Sequence, residues 1–509
     1  MKKQKRFAGI LLHPTSLPGP YGVGDLGPAV DVFLDGLAAA GQSIWQVLPL
    51  APPSYSGSPY DALSAFAGNP LLISPELLYE DGLLDGWELE EFPGFSLDKV
   101  DFDAVRPWKE ALLRRTWGRL ADRRPDLREE MAAFHQDPEQ QGWLGDWTLF
   151  SALKSRYDGR AWVDWEPGLR RRQRAAMASA RQELSDEIAY HEYLQFQFFR
   201  QWGRVREMAS ERDIRIMGDI PIYVSHDSAD VWAHPELFDI DSEGHPIHVA
   251  GVPPDYFSKT GQRWGNPLYR WDYLADTGYA WWIDRLRANL RLADLVRLDH
   301  FRGFAAYWKI DAVEETAING TWEDGPGKAL FDAIEGALGS LPLVAEDLGE
   351  ITDEVHALRD ALGLPGMRVL QFGFGEPDSI HAPHHLSTDT IVYTGTHDND
   401  TLVGWYQSLD DGMRHKVRTY LGADDGGVPW GVIRQAYTSV SELAIVPVQD
   451  LLGLPAEARM NTPGEPSGNW QWRLRDGEWT RDKIERLRRL TELSDRLKPV
   501  EEDEAAEDS

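Results

Sequence analysis

The chain contains no cysteine among its 509 residues. That absence excludes disulfides, thiolate nucleophiles and cysteine-ligated metals. Lysine is also scarce, at twelve positions, so most of the basic charge comes from arginine. Apolar runs are short, and none approaches the roughly 20 residues that a membrane-spanning helix needs. We therefore expect a soluble protein whose chemistry does not depend on thiols.

Basic residues are fewer than acidic ones, 52 against 83, so the formal net charge is −31. Nucleic acids and anionic membranes both attract basic surfaces, so neither is an expected partner. The N-terminal run FAGILL has only six apolar residues, fewer than the about 7–15 of a signal-peptide core. We expect a cytoplasmic protein in which the acidic stretch EEDEAAEDS is a solvated, disordered end.

Eight short apolar runs are typical of buried parallel strands. They are FAGILL from Phe7, SIWQVLPL from Ser43, IRIMGD from Ile214, LADLVRLD from Leu292, LPLVAED from Leu341, MRVLQFGF from Met367, DTIVYTGTHD from Asp389 and LAIVPVQD from Leu443. Helical patterns lie between many of them, namely AVDVFLDGLAAAG, LADTGYAWWIDRLRANLRL, KALFDAIEGALG and TDEVHALRDALG. Strand alternating with helix predicts an α/β protein, and eight repeats predict a (β/α)8 TIM barrel.

The spacing of the runs is uneven, because roughly 165 residues separate the second from the third. That segment carries long amphipathic patterns, so we expect a large, mostly helical insertion between the second and third strands. The expected organisation is the first barrel strands over 1–50, the insertion over 51–210, the remainder of the barrel over 211–480 with an aromatic lid loop near 251–269, and a charged C-terminal helix with the acidic tail over 481–509.

Three acidic residues follow predicted strands four, five and seven: Asp299, Glu346 and Asp398. In a β/α barrel the carboxyl ends of the strands converge at one mouth, where catalytic groups lie. An acid that ends a strand is also a common helix N-cap, which is the alternative for each of the three. Their shared position favours a catalytic set.

Carboxyl groups at a shared site are typical of glycosidic bond chemistry. One acts as nucleophile and one as protonated acid, about 5–5.5 Å apart in retaining enzymes. Arg297 lies two residues before Asp299 on a strand, so both side chains point to the same side. We expect Arg297 to hold Asp299 ionised, with a structural ion pair as the alternative. His300 and Arg302 are expected to bind hydroxyls.

The segment from Gly251 to Tyr269 is long, rich in proline and glycine, and carries Tyr256, Phe257 and Trp264. A loop with exposed aromatics at a barrel mouth can serve as a lid and a stacking platform. The alternative is that these rings pack as a satellite core.

Three other motifs give weaker signals. GVGDLG from Gly22 fits G-x-G-x-x-G, but a proline-rich loop precedes it, so no dinucleotide site is expected. DIDSEG from Asp239 begins like a calcium loop, but Ala250 stands at its twelfth position in place of glutamate. The cluster HAPHH from His381 is expected to be a solvated loop rather than a metal site.

The blocks RLDHFRGF, AEDLG and GTHDND resemble the catalytic blocks of the α-amylase superfamily. The flanking motifs are similar to those of a narrower family, the amylomaltases or 4-α-glucanotransferases of glycoside hydrolase family 77. These motifs are GILLHPTSLPGPYGVGDLG, SPYDALSAFAGNP, GDIPIYV, GVPPDYFSKTGQRWGNPLY and MNTPGEPSGNWQWR. The resemblance runs from about Phe7 to Arg473, nearly the whole chain apart from the tail.

The resemblance implies a role for each candidate residue. Asp299 would be the nucleophile, Glu346 the general acid and then the base, and Asp398 the residue that hydrogen-bonds the 2- and 3-hydroxyls of the sugar. The substrate-binding residues would be Tyr60 stacked on the −1 sugar, Asp219 lining the cleft, Arg297, His300 and His397 around the −1 subsite, and the lid aromatics Tyr256, Phe257 and Trp264. Arg263 and Arg270 depart from the family pattern beside the acceptor site.

The resemblance also implies the reaction. A segment of an α-1,4-glucan would move to the 4-hydroxyl of an acceptor glucan or glucose, with retention, through a covalent glucosyl-enzyme. The expected partners are maltooligosaccharides and other α-1,4-glucans, the expected state is a monomer, and no cofactor or metal is expected. Two alternatives stay open: a retaining α-1,4-glucan hydrolase and a non-catalytic glucan-binding protein.

Overall fold

A computed structural model describes residues 5–254 and 258–498. The acidic tail and the lid residues Tyr256 and Phe257 lie outside the described residues, so what is expected of them stays a prediction. Within the two described ranges, no helix is both long enough and apolar enough to cross a membrane.

The described chain forms twelve β-strands, eight of which close into a barrel. The strands are β1 (Phe7–Leu11), β2 (Ile44–Gln46), β3 (Arg215–Pro221), β4 (His248–Val252), β5 (Gln262–Pro267), β6 (Leu295–Asp299), β7 (Ala306–Asp311), β8 (Gly320–Asp324), β9 (Leu343–Ala345), β10 (Gly366–Val369), β11 (Thr390–Tyr393) and β12 (Leu443–Pro447). The barrel order is β1-β12-β11-β10-β9-β6-β3-β2, and its pairs are parallel. All eight predicted strands lie in it, so the predicted (β/α)8 barrel is confirmed.

The barrel strands are apolar runs because both of their faces are covered. Every residue of β10, β11 and β12 is buried. A strand with helices outside and packed side chains inside has no solvent face, so its sequence does not alternate. The first two strands approach so closely that a Cβ added at Gly9 would lie 2.6 Å from the Cβ of Ile44.

Nineteen α-helices surround or extend the barrel within the described residues. They are α1 (Pro28–Ala39), α2 (Pro75–Glu80), α3 (Phe102–Arg123), α4 (Pro125–Gln136), α5 (Leu144–Arg156), α6 (Pro167–Arg170), α7 (Arg174–Glu183), α8 (Ser185–Glu211), α9 (Ala229–Ala233), α10 (Trp271–Asp276), α11 (Ala280–Leu292), α12 (Arg302–Ala305), α13 (Gly327–Leu338), α14 (Asp353–Ala361), α15 (Leu402–Ser408), α16 (Asp411–Leu421), α17 (Val428–Thr438), α18 (Val448–Leu452) and α19 (Arg481–Leu493). Four of them, α1, α11, α13 and α14, match the predicted helical patterns. The pattern before β6 is split into α10 and α11, because Gly278 and Tyr279 take left-handed φ angles of 66° and 57°.

Helices α2 to α8 lie between β2 and β3, where an insertion was expected. The long helix α8 also belongs to the barrel. Its Trp202 ring lies 6.4 Å from the Trp45 ring of β2, and its indole nitrogen donates to the carbonyl of Leu292 at 2.9 Å. The C-terminal half of α8 is therefore the crossover helix that leads into β3. The predicted insertion over 51–210 includes this barrel element, and the division into domains stays a proposal.

The segment near 251–269 is built partly on strands. β4 and β5 pair antiparallel, and β7 and β8 complete a four-stranded sheet in the order β5-β4-β7-β8. Gly251 allows the close pairing, because an added Cβ would lie 2.2 Å from the carbonyl oxygen of Gln262. The prediction of a loop is thus wrong for β4 and β5, and the role of this segment as a lid stays a proposal.

The C-terminal helix α19 is followed by a buried arginine that contacts the start of the barrel. Arg496 is 0% exposed, and burial lowers its pKa to about 10. Its guanidinium donates to six backbone carbonyls. They are those of Phe7 and Tyr437 at 2.7 Å, Ser441 at 2.9 Å, Ser439 at 3.2 Å, Glu442 at 3.3 Å and Ala436 at 3.4 Å. Because β1 and β12 are the first and last barrel strands, Arg496 holds together the two ends that close the barrel.

We expect Arg496→Met to lower the midpoint of thermal unfolding strongly. The substitution orphans several buried carbonyls, each of which costs about 1–3 kcal/mol when left without a donor. The site lies at the amino ends of the strands, far from the mouth, so kcat/KM at low temperature should stay within about twofold.

The control is Lys498→Ala, which removes the exposed Lys498–Asp213 ion pair at 2.7 Å. Such surface pairs contribute about 0–1 kcal/mol, so the midpoint should hardly move. Equal midpoints for wild type and Arg496→Met, scanned at one rate, would contradict the role of Arg496 in closing the barrel.

Candidate active site

A cleft of about 1850 Å³ is lined by Asp299, Glu346 and Asp398. Asp299 is the last residue of β6, and Glu346 follows β9 directly. Asp398 comes shortly after the end of β11. The three predicted acids therefore meet at the carboxyl ends of the barrel strands, as their positions in the sequence predicted.

Asp299 and Glu346 are brought together by the pairing of β6 with β9. Leu298 lies opposite Ala345 in the parallel register, so the next residue on each strand is one of the two acids. The backbone N–H of Glu346 donates to the carbonyl of Leu298 at 3.1 Å, and that of Phe301 donates to the carbonyl of Glu346 at 3.1 Å. These backbone bonds hold the two acids next to each other at the ends of adjacent strands.

The Glu346 carboxyl group is held by the backbone. It accepts the N–H of His300 at 2.7 Å and that of Leu348 at 3.0 Å. His300 has a φ of 53°, a left-handed conformation that costs free energy for a residue with a side chain. The left-handed conformation turns the backbone so that the His300 N–H points at the Glu346 carboxyl group. The local strain therefore accompanies a hydrogen bond that holds this carboxyl group in position.

Burial raises the pKa of Glu346 to about 8, and the nearby Asp299 charge adds to the rise. The Arg297 guanidinium and the two backbone N–H donors act in the opposite direction. Glu346 is only 9% exposed, so the loss of hydration dominates. The carboxyl group is therefore protonated at neutral pH and can donate a proton.

Arg297 joins two carboxylates in the floor of the cleft. Its guanidinium donates to Asp299 Oδ1 and to Asp219 Oδ2, each at 2.7 Å. The ion pair expected from the two-residue spacing is thus present. Asp219 reaches Arg297 because the two residues are partners in the β3–β6 register. The Tyr60 hydroxyl also donates to Asp219 Oδ2, at 2.9 Å.

Asp219 lies deeper than its prediction as a cleft-lining residue requires. Its side chain is 0% exposed, and it does not contribute to the wall of the catalytic cleft. Burial raises the pKa of Asp219 to about 7, while Arg297 and the Tyr60 hydroxyl act against that rise. Asp219 therefore holds Arg297 and Tyr60 through its Oδ2, and its assignment as a substrate-binding residue stays a prediction.

Aromatic rings form two walls of the cleft. Tyr60 and His397 are stacked, with ring centroids 5.1 Å apart and an interplanar angle of 16°. On the other wall Trp264 meets His300 edge to face at 4.8 Å and is 38% exposed. Burial lowers the pKa of His300 to about 4, so its imidazole is neutral and can both donate and accept a hydrogen bond.

A family model described as 4-alpha-glucanotransferase, glycoside hydrolase family 77, matches residues 12–479. The chain belongs to this family. The family match confirms the expected resemblance, and it favours the transferase over the hydrolase and over a protein without catalytic activity.

Related proteins agree with the family assignment. The 4-alpha-glucanotransferase of Thermus thermophilus is 49% identical over 502 residues, covering 97% of this chain and 99% of the relative. The chloroplastic/amyloplastic 4-alpha-glucanotransferase of Solanum tuberosum is 45% identical over 477 residues, covering 92% of this chain and 82% of the relative. The structure of the amylomaltase from Streptococcus agalactiae in complex with acarbose has a TM-score of 0.94 at 37% identity, covering 97% of this chain and 100% of that one.

In and beside the 4-α-glucanotransferase cleft lie residues for which the sequence predicted no role. Asn461 Nδ2 donates to Asp398 Oδ1 at 2.6 Å, and Arg459 donates to the Asp398 carbonyl at 2.6 Å. The Trp470 ring lies 5.7 Å from Tyr60 and 5.9 Å from His397. Asn461 and Trp470 belong to MNTPGEPSGNWQWR, which was used for the resemblance without assigning a role to any of its residues.

Arg302 does not bind in the cleft as expected. Its guanidinium stacks over the Trp322 ring at 3.9 Å and donates to the Glu350 carbonyl. The chain turns at the left-handed His300 and enters α12 at Arg302, which directs this side chain away from the cleft. The prediction that Arg302 binds hydroxyls is therefore wrong.

The HAPHH cluster is spread over separate partners. The His381 Nδ1 accepts the backbone N–H of Val369 at 3.2 Å, and His384 Nδ1 lies 2.9 Å from the Tyr420 hydroxyl. Within residues 5–254 and 258–498, no group of three His, Asp or Glu side chains is arranged to hold a metal ion.

We expect Asp219→Asn to lower kcat while leaving the KM for maltotriose nearly unchanged. The substitution keeps the volume and one acceptor oxygen but removes the charge that pairs with Arg297. A displaced Arg297 displaces Asp299, and a misplacement of about 1 Å can cost on the order of 100-fold in rate. Initial rates of glucose release from maltotriose measure both constants.

Tyr60→Phe is the matched control for this network, because it removes one neutral hydrogen bond to Asp219 and keeps the ring. Its loss in kcat should be smaller than that of Asp219→Asn. If Asp219→Asn has the kcat of the wild type and an unchanged unfolding midpoint, Asp219 does not position Arg297.

Proposed function

We propose that the chain transfers α-1,4-glucan segments by a retaining double displacement in which Asp299 is the nucleophile and Glu346 the acid and base. The observation that carries the proposal is the contrast between two neighbouring carboxyl groups. Asp299 is paired with Arg297 at 2.7 Å, whereas burial raises the pKa of Glu346 to about 8. Two titratable groups whose environments differ in this way are suited to opposite roles.

In the first step Asp299 attacks the anomeric carbon and Glu346 gives its proton to the departing glycosidic oxygen. The bond from the anomeric carbon to that oxygen breaks, a bond to Asp299 forms, and the shortened glucan leaves with a 4-hydroxyl. We propose that Asp398 holds the 2- and 3-hydroxyls as positive charge develops on the ring; the hydrogen bond from Asn461 to Asp398 at 2.6 Å supports this role.

In the second step the acceptor 4-hydroxyl attacks the anomeric carbon of the glucosyl-enzyme, and Glu346 removes the proton of that hydroxyl. A bond from the anomeric carbon to the acceptor oxygen forms, and the ester bond to Asp299 breaks, which regenerates the Asp299 carboxylate. The change of role follows from the electrostatics. Once Asp299 is esterified it carries no charge, so one of the causes that raise the pKa of Glu346 disappears. The ionised form of Glu346 is then favoured when a base is needed.

The exposed Trp264 ring next to His300 supports an acceptor-side platform. A sugar bound there excludes water from the glucosyl-enzyme, which favours transfer over hydrolysis. Tyr256 and Phe257 are proposed as further parts of the same platform. Tyr60 and His397 would support the donor sugar from the opposite wall.

We further propose that the protein acts on maltooligosaccharides and other α-1,4-glucans as a cytoplasmic monomer. The acarbose complex of the Streptococcus agalactiae relative supports the choice of ligand. The net charge of −31 supports the absence of nucleic-acid and anionic-membrane partners. No cofactor enters the proposed steps, since the two carboxyl groups supply both the nucleophile and the proton.

Purified protein incubated with maltotriose should give glucose together with maltopentaose and longer chains, because each donated segment is joined to another glucan. Asp299→Ala should give neither product, since it lacks the nucleophile. Chromatography of the products measures both. Shorter sugars alone would favour hydrolysis, and unchanged activity in Asp299→Ala would contradict its role.

The initial rate with maltotriose should fall as pH rises through about 8, because Glu346 then loses the proton that the leaving oxygen requires. The sign follows from a raised pKa: the acid form is present below about 8 and is lost above it. Initial rates between neutral and alkaline pH measure this limb.

The control donor is α-maltosyl fluoride with glucose as acceptor, because fluoride leaves without a proton. With this donor the alkaline fall should disappear, and Glu346→Gln should retain formation of the glucosyl-enzyme. If the rate falls equally at alkaline pH with both donors, the fall is caused by the ionisation of a group other than Glu346.

A further inference from the structure

Gln371 lines the catalytic cleft and has no part in the proposed reaction as described so far. It lies in the short 3₁₀ helix Leu370–Gly373, which follows β10 directly. In the barrel order β10 lies between β9 and β11, the strands that Glu346 and Asp398 follow. Gln371 is therefore flanked by the proposed acid on one side and the proposed hydroxyl-binding carboxylate on the other.

The orientation of the Gln371 amide is set by the segment that follows β11. Its Nε2 donates to the backbone carbonyl of Asp400 at 2.7 Å. A carbonyl oxygen can only accept, so the NH2 group has to face Asp400 and the amide oxygen has to face away from it. Gly395 leaves room for this arrangement, because an added Cβ there would lie 2.7 Å from Nε2.

The amide oxygen of Gln371 is an acceptor without a donor. Within residues 5–254 and 258–498 no group donates to Oε1, although the side chain is only 7% exposed. Unlike the unpartnered amide oxygens of Gln46 and Gln197, this oxygen is not sealed from solvent. Since Gln371 lines the cleft, Oε1 opens onto the space for substrate. It suits a hydroxyl donor, which a glucan offers.

The position of Gln371 selects one hydroxyl of the substrate. In the proposed function Glu346 meets the oxygen at C4 of the leaving or acceptor sugar, and Asp398 meets the 2- and 3-hydroxyls of the donor sugar. In an α-1,4 linkage the 3-hydroxyl of the acceptor sugar lies beside the 2-hydroxyl of the donor sugar. An oxygen between Glu346 and Asp398 therefore faces the acceptor 3-hydroxyl, which no other proposed contact holds.

We propose that Gln371 determines acceptor specificity by accepting a hydrogen bond at Oε1 from the 3-hydroxyl of the acceptor sugar. The same contact holds the leaving sugar in the first step, because leaving and acceptor sugars occupy the same place. It favours a sugar over water as acceptor, since water brings no second hydroxyl to this oxygen. The inference rests on the proposed function, which defines the donor and the acceptor.

The test compares the full-length wild type with Gln371→Met, which keeps the length of the side chain and removes the amide oxygen. Both transfer the maltosyl group of α-maltosyl fluoride to glucose or to 3-deoxyglucose. In the wild type, kcat/KM for 3-deoxyglucose should be about tenfold below that for glucose. Gln371→Met should lose about tenfold with glucose and nothing further with 3-deoxyglucose. The preference for glucose over 2-deoxyglucose or 6-deoxyglucose should be the same in both proteins.

A second measurement separates the loss of this contact from a fault in folding. α-Maltosyl fluoride has no leaving sugar, so kcat/KM for fluoride release should stay within about twofold in Gln371→Met. With maltotriose as donor kcat/KM should fall about tenfold, because the leaving sugar carries the 3-hydroxyl. Gly395→Ala should give the same split, since the added Cβ displaces the amide. Gln407→Met, at an exposed position of α15, is the matched control and should change neither constant.

The same loss with 3-deoxyglucose in the wild type and in Gln371→Met would overturn the inference, and so would a wild type that uses both acceptors equally well. If Gln371→Met slows fluoride release as much as it slows the reaction of maltotriose, the residue acts on the donor sugar or on folding, and the inference is wrong. Failure of the proposed function has a different signature: the wild type would release fluoride and form no maltotriose from glucose.

Discussion

The buried guanidinium of Arg297 is the interaction on which the catalytic cleft depends. It donates at 2.7 Å to carboxylates on either side, Asp299 on its own strand and Asp219 on the neighbouring strand. Parallel register places Asp219 beside Arg297, and the two-residue period of a strand places Asp299 on the same face. Tyr60 joins the same network through Asp219, so the wall that carries His397 is positioned by the same buried charge. A barrel with different strand register would separate these groups.

The proposed chemistry rests on the unequal surroundings of two carboxyl groups, those of Asp299 and Glu346. Asp299 has a full ionic partner, while Glu346 has only backbone donors and little water. One of these donors is the N–H of His300, whose left-handed φ stores local strain at the site, and the other is the N–H of Leu348. The barrel supplies the stability that tolerates this strain, which is why such a turn is found at the mouth rather than in a strand.

Most of the barrel could be predicted from the sequence, because parallel strands that are buried on both faces have continuous apolar sequences. The three acids Asp299, Glu346 and Asp398 could be predicted as well, because the residues that follow such strands meet at one end of the barrel. Contacts between residues that are far apart in the sequence could not be predicted in this way. Asn461 orients Asp398 from more than 60 residues away, and no local pattern marks that pairing. Strand β5 was not predicted, because it contains a glycine and a proline, which are typical of loops. The burial of Asp219 depends on the register of β3 with β6, which the sequence does not reveal. The direction of the Arg302 side chain depends on the left-handed backbone conformation of His300, which could not be predicted from the sequence.

The contacts of Arg496 have a consequence for how the chain is made. The first strand of the barrel leaves the ribosome early, but its partner β12 begins at Leu443, and the guanidinium that joins them lies later still. During synthesis β1 therefore exposes an unpaired edge until β12 has emerged. Closure is a late, long-range event, and before it happens the open edge of β1 can pair with another chain.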